Sequence, residues 1–134
     1  MYPEIMDSVA DKYFQLGFDK LNDDEKIIYC VWWLEAEVNN GGSHQYFFNS
    51  AGDYTAETLL ALEKIGANQT KKWLEQAVLI AFKHQHPPKD RKERQAILIK
   101  LNDNDLKLLD DLDEDFYENG ENITGLMNKY FSHK

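Results

Sequence analysis

A chain of 134 residues that is 43% apolar and 13% aromatic is long enough to bury a core within one domain, and that composition excludes a disordered segment. It carries 24 acids against 15 bases, a net charge of −9, which sets it against nucleic acid and anionic lipid and toward a basic partner. The single cysteine, Cys30, excludes an internal disulfide and sits in the apolar run 27–34, where it reads as a buried reduced thiol. Glu4, Asp7 and Asp11 precede the first lysine, a pattern unlike a signal or transit peptide. No apolar run reaches the length of a membrane span. The expectation is one domain over 1–134, cytoplasmic, with no membrane contact.

Helical periodicity runs through the whole chain. Over 3–16, Ile5, Val9, Tyr13 and Leu16 fall on one face, and Gly17 is a C-terminal stop. Asn22 followed by Asp23, Asp24 and Glu25 predicts a capped N-terminus, since Glu25 stands three residues after a capping side chain. The helix continues through Ile27, Val31, Leu34 and Val38, and Trp32 and Trp33 point to different sides. A helix covered on more than one side is the central helix of a domain.

Asn39-Asn40-Gly41-Gly42 should stop it, and a short helix is expected over 43–49. Residues 51–53 read as a turn. Further helices are expected over 55–65, 70–83, 91–101, 105–118 and 123–131. His86-Pro87-Pro88 is the hard break, and Asp90 caps the helix after it. In 105–118 the inward stripe is Leu106, Leu109, Leu112 and Phe116. The architecture is all-α, a single compact domain of about seven or eight helices.

The charge is segmented. Residues 1–63 hold twelve acids and three bases, 71–100 hold eight bases and three acids, and 101–121 hold nine acids and Lys107 alone. With the stripe inward, Asp110, Asp111, Glu114, Asp115 and Glu118 form an outward acidic face. Its pairs 110/114, 111/115 and 114/118 are like charges one turn apart, each unfavourable by roughly 0.2–0.5 kcal/mol. Acids at the C-terminal end of a helix add up to about 1 kcal/mol. A sequence that tolerates this either relieves it with the basic segment 83–100 or uses the row of carboxylates to bind groups that neutralise phosphates.

Catalytic and metal signals are weak. There is no phosphate loop, nucleophile elbow or His-Glu-x-x-His motif. His84 and His86 do not share a helical face. Asp113 and Asp115 resemble the start of a calcium loop, but the glycine and the closing glutamate are missing. No metal and no cofactor are expected. The polar cluster Asn39, Asn40, Gly41, Gly42, His44, Gln45 and Asn49 is read two ways. As scaffold, the glycines supply positive φ, and Gln45 with Asn49 satisfies the backbone ends of the broken helix. As a site, it is a polar-aromatic cleft of an enzyme or small-ligand binder, with His44 as acid or base.

Val38-Asn-Asn-Gly-Gly-Ser-His-Gln-Tyr-Phe-Phe-Asn-Ser-Ala-Gly-Asp-Tyr54, Glu57-Thr-Leu-Leu-Ala-Leu-Glu-Lys-Ile-Gly-Ala67 and the acidic tail Leu109-Asp-Asp-Leu-Asp-Glu-Asp-Phe-Tyr-Glu118 resemble a bacterial family of small helical proteins. That family is a domain of unknown function typified by a DNA-mimic protein. The resemblance implies a helical fold, no enzymatic activity and no cofactor. It also implies an acidic surface that occupies the DNA site of a basic DNA-binding protein such as a transcriptional regulator, without direct nucleic-acid binding. Homodimer formation and a purely structural role stay open. Lys89, Arg91, Lys92 and Arg94 depart from an ideal mimic. If they interleave with the acidic face, they neutralise it. If they lie elsewhere, mimicry survives.

Overall fold

Five consecutive residues, Ile27 to Val31, are buried, which a surface helix with one apolar stripe does not allow. They belong to α2 (Asp23–Phe48), the centre of the fold in a computed structural model that describes residues 4–133. Around it stand α1 (Met6–Leu16), α3 (Thr55–Lys64), α4 (Asn68–Phe82), α5 (Arg91–Ile99), α6 (Asp103–Asn119) and α7 (Ile123–Ser132). Single 3-10 turns cover Phe18–Lys20 and Ser50–Tyr54. Among the described residues there is no strand, and the all-α expectation holds with seven helices.

Helix α2 packs against α1, α3, α5 and α6, while α4 lies against α3, α5 and α6. The core runs through Val31, Leu34, Val38, Phe47, Leu62, Leu74, Leu98, Leu109 and Met127. Cys30 is buried with it, and burial pushes its thiol up to about 12, so it stays protonated and inert at neutral pH.

Helix ends are set by their side chains. Asn22 and Glu25 form the reciprocal capping box at 2.8 Å in each direction, and Lys12 reaches Glu25 at 2.7 Å to tie α1 to the start of α2. Asp90, Asn102 and Asn122 each accept from the amide three residues on. Such caps contribute about 1 kcal/mol apiece. Gly17 takes φ 88° at the end of α1. The predicted start of that helix at Pro3 lies outside the described residues.

The inward stripe of α6 departs from expectation. Leu106 is 37% exposed, while Asp105 and Asp113 are buried beside Leu109. Leu112 and Phe116 are half-buried, packed against the core. The helix starts two residues earlier than expected, capped by Asn102. Its contact face is set by α4 and α2 together. Trp73 of α4 donates its indole N–H to the Leu112 carbonyl at 2.6 Å. Lys83, at the end of α4, bonds Asp105 at 2.7 Å.

Candidate protein-interaction surface

The Asn-Asn-Gly-Gly stretch breaks α2 into two helical arms, as the sequence predicts, and the short helix expected over 43–49 is the second arm, ending at Phe48. Gly41 has φ −155° and ψ 16°, and Gly42 has φ 82° and ψ −177°. Only Gly42 takes the positive φ expected of both. A kink of this kind leaves carbonyls unbonded before it and amides unbonded after it. Both ends are met from α6. The Tyr117 hydroxyl donates to the Val38 carbonyl at 2.7 Å, and the Ser43 amide donates to Asp113 Oδ1 at 3.0 Å. Asp113 and Tyr117 are four residues apart, so one face of α6 serves both arms of the kink.

Gly42 leaves the space that Asp113 needs, because a Cβ there would strike the Asp113 carboxylate. Burial pushes the Asp113 carboxyl above its ordinary range. The Ser43 hydrogen bonds offset part of this, and the neighbouring Asp110 adds to it.

The remaining polar residues do not converge on one cleft. Gln45 and Asn49 share a face as expected, yet they hold a side chain and not the backbone ends assigned to them. Asn49 donates to Glu37 Oε2 at 2.7 Å, and Gln45 donates to Oε1 at 3.4 Å. Glu37 sits on the first arm of α2 and the two amides on the second, so the contact splints the kink. The His44 ring stacks on Phe48 with centroids 6.0 Å apart. Asn39, Asn40 and Gly41 are exposed, and Asn39 borders a small hollow with Glu35 and Tyr117, away from Asn49. Among the described residues no three His, Cys, Asp or Glu side chains are grouped to hold a metal ion.

Asp110, Asp111, Glu114, Asp115 and Glu118 are all exposed on α6. Lys107 pairs with Asp111 at 3.1 Å along the helix, and Asn119 donates to Asp115 at 2.9 Å. Among the described residues, no ion pair or side-chain hydrogen bond engages Asp110, Glu114 or Glu118.

The basic segment is engaged elsewhere. Lys89 pairs with Glu57 at 2.8 Å, and Arg91 with Asp53 at 2.8 Å. Arg94 is fully buried. Its guanidinium donates to Phe47 O (2.8 Å), Asn49 O (3.1 Å), Pro88 O (3.2 Å), Lys89 O (2.7 Å) and Asp53 Oδ1 (2.6 Å). These cations answer acids of the N-terminal half. Among the described residues, the ion pair from this segment to α6 is Lys83 on Asp105.

Burial raises the Asp53 carboxyl, but the hydrogen bonds from Arg91 and Arg94 outweigh it and hold Asp53 below its ordinary range. The Asn22 amide and Lys12 hold Glu25 down likewise. A carboxyl depressed in the folded state adds stability above its unfolded pKa of about 4, and that stability is lost as pH falls through the folded value. Urea midpoints should therefore drop as the pH is taken below about 4. In Asp53→Asn the midpoint should be lower at neutral pH and fall less on acidification. A variant with an acid limb as steep as the wild type would show that Asp53 is not a source of the dependence.

Sequence reasoning missed Asp113, Tyr117, Glu37, Asp53 and Arg94. Two of them left a signal. Asp113 stands four after Leu109, and Arg94 stands three before Ile97 and seven before Leu101, so each is a charged residue on an apolar stripe.

A family model described as DMP19-like protein matches residues 19–134, and the match shows that the chain belongs to that family. No match was found among curated proteins. None was found among solved structures. No helix among the described residues is long and apolar enough to cross a membrane.

Proposed function

From membership of the DMP19-like family, a family of DNA mimics, we infer that this chain is a non-enzymatic interaction protein. Its α6 face occupies the DNA-binding groove of a basic protein such as a transcriptional regulator. The observation that carries the reading is the row Asp110, Glu114 and Glu118, exposed and unpaired among the described residues while Lys89, Arg91 and Arg94 are bound to Glu57 and Asp53. Successive carboxylates stand about 6 Å apart along the helix axis. In a free monomer they repel one another by roughly 0.2–0.5 kcal/mol per pair. A groove that binds phosphates supplies the cations that remove this repulsion. Because Asp113 and Tyr117 fix α6 to the kink, the row is presented on a rigid support, which limits the entropy lost on binding.

The test is competition. The purified chain should leave duplex DNA unbound, retain a DNA-binding protein from a bacterial lysate at low salt, and release it as salt rises, since exposed charges are screened within about 10 Å at 0.1 M. DNA containing that protein's site should displace it. The triple variant Asp110→Asn, Glu114→Gln, Glu118→Gln should lose retention while melting at the same temperature or a few degrees higher, because the like-charge pairs are gone. Undiminished retention by the triple variant would remove α6 from the interface.

A further inference from the structure

A second feature lies away from α6. A groove of about 470 Å³ opens between α1, α2 and α5, lined by Phe14, Trp33, Phe48 and the stacked pair Tyr13–Tyr29, together with Glu37. Phe14 is 90% exposed and Phe48 36% exposed, although burying such a ring is favourable by about 1.5–3 kcal/mol. The volume is that of a small-molecule site, where apolar lining and a few polar groups are the usual composition.

The polar groups indicate the sign of the ligand. Both Glu37 oxygens accept from neutral amides, of Asn49 and Gln45, so neither bond brings a cation to the carboxylate. Among the described residues the cation lining the groove is Arg91, which donates to Asp53 through Nε at 3.4 Å and Nη2 at 2.8 Å. Asp11, next to Ala10 on the α1 side, is exposed. Aromatic faces carry partial negative charge and attract a cation within about 6 Å of the ring centre. An anion entering here meets Glu37, and a neutral ligand leaves both the quadrupoles and the carboxylate unused.

We propose that the groove binds a small organic cation, an alkylammonium on an apolar or aromatic body, with the charged end at Glu37 and Trp33 and the body against Phe14 and Phe48. The site is independent of the α6 surface, since no α6 residue lines it.

Tryptophan fluorescence and calorimetry on the purified chain, titrated with phenethyltrimethylammonium, 2-phenylethanol and 3-phenylpropanoate, test it. The cation should bind saturably at one site, at least roughly tenfold tighter than the alcohol or the acid. Phe14→Ala should weaken it several-fold with an unchanged melting temperature, because that ring is already exposed. Glu37→Gln should weaken the cation alone and leave the alcohol unaffected. Equal affinity for alcohol and cation, affinity unmoved by Phe14→Ala, or no saturable binding would overturn the proposal. So would a dimer in sedimentation that Phe14→Ala dissolves, because the groove would then hold a second copy of the chain.

Discussion

Replacing Arg94 with methionine should destabilise the domain by about 3–5 kcal/mol, the range for breaking a buried charge pair from one side. The side chain is fully buried and its five hydrogen bonds join three parts of the chain. Phe47 O and Asn49 O belong to the C-terminal end of α2, where carbonyls lack helical partners. Pro88 O and Lys89 O fix the turn that enters α5, and Asp53 lies in the 3-10 turn between α2 and α3. Without the guanidinium these carbonyls lose their donor together, and Asp53 is left with Arg91 alone. Each buried group left without a partner is unfavourable by about 1–3 kcal/mol.

Arg94→Lys should recover little, because one ammonium cannot span acceptors arranged for a planar fork. The double variant Arg94→Met, Asp53→Asn should be more stable than the sum of its parts, since both changes remove the same Arg94–Asp53 contact. Calorimetry should show Arg94→Met melting about 10–15 °C below wild type for a domain of this size. A loss of only two or three degrees would mean that water satisfies these groups and that Arg94 is not an organising residue.

The elements were legible because their signals are local. Apolar spacing, Asn22 with Glu25, Asp90, Gly17 and the proline pair each act within a few residues, and all fall where the sequence indicates. What was not legible depends on residues brought together across the chain. Asp113 meets Ser43 over a separation of 70 residues, and Arg94 meets Phe47 over 47. Apolar periodicity places Leu106 inward and passes over Asp113 because a carboxylate is not counted as core, whereas in the packing Leu106 is exposed and Asp113 is buried. The acidic face was easier to read, since it needs only the helix phase. Its freedom from the basic segment was not, because that rests on Asp53 and Glu57 lying near α5.

The kink gives the second large effect. Gly42→Val should lower stability by about 3 kcal/mol or more. A β-branched residue at φ 82° is strained by roughly 1–3 kcal/mol, and its Cβ would displace the Asp113 carboxylate, leaving the Ser43 amide unbonded for about another 1–3 kcal/mol. Gly41→Ala should be much milder. Its φ of −155° lies outside the left-handed region, and the added methyl meets the Gln45 side chain, whose amide end can swing away while its Cβ, 3.1 Å off, gives slightly. Equal losses at the two glycines would refute the assignment of the bend to Gly42 and Asp113. Asp113→Ala should cost less than Gly42→Val, and the two together should fall short of additive, because they remove the same contact.

Asp113→Asn separates the hydrogen bond from the charge. Its amide oxygen can still accept from Ser43, so stability at neutral pH should equal or exceed wild type. With the Asp113 carboxyl raised by burial, the folded protein binds this proton more tightly than the unfolded chain does. Wild-type stability attributable to this group is therefore full below about pH 4 and declines as pH rises through the folded value. Asparagine has no such decline. The gap between Asp113→Asn and wild type in urea midpoint should open as pH rises from about 4, opposite in sense to the acid limb set by Asp53. Asp113→Ala, in contrast, should loosen α6 from the second arm of α2, which Asp113 holds through Ser43. It should weaken capture of the basic partner at constant salt although every outward carboxylate remains. Partner affinity unchanged in a destabilised but folded Asp113→Ala would show that the acidic row acts through its charge alone and does not depend on the kink to hold it.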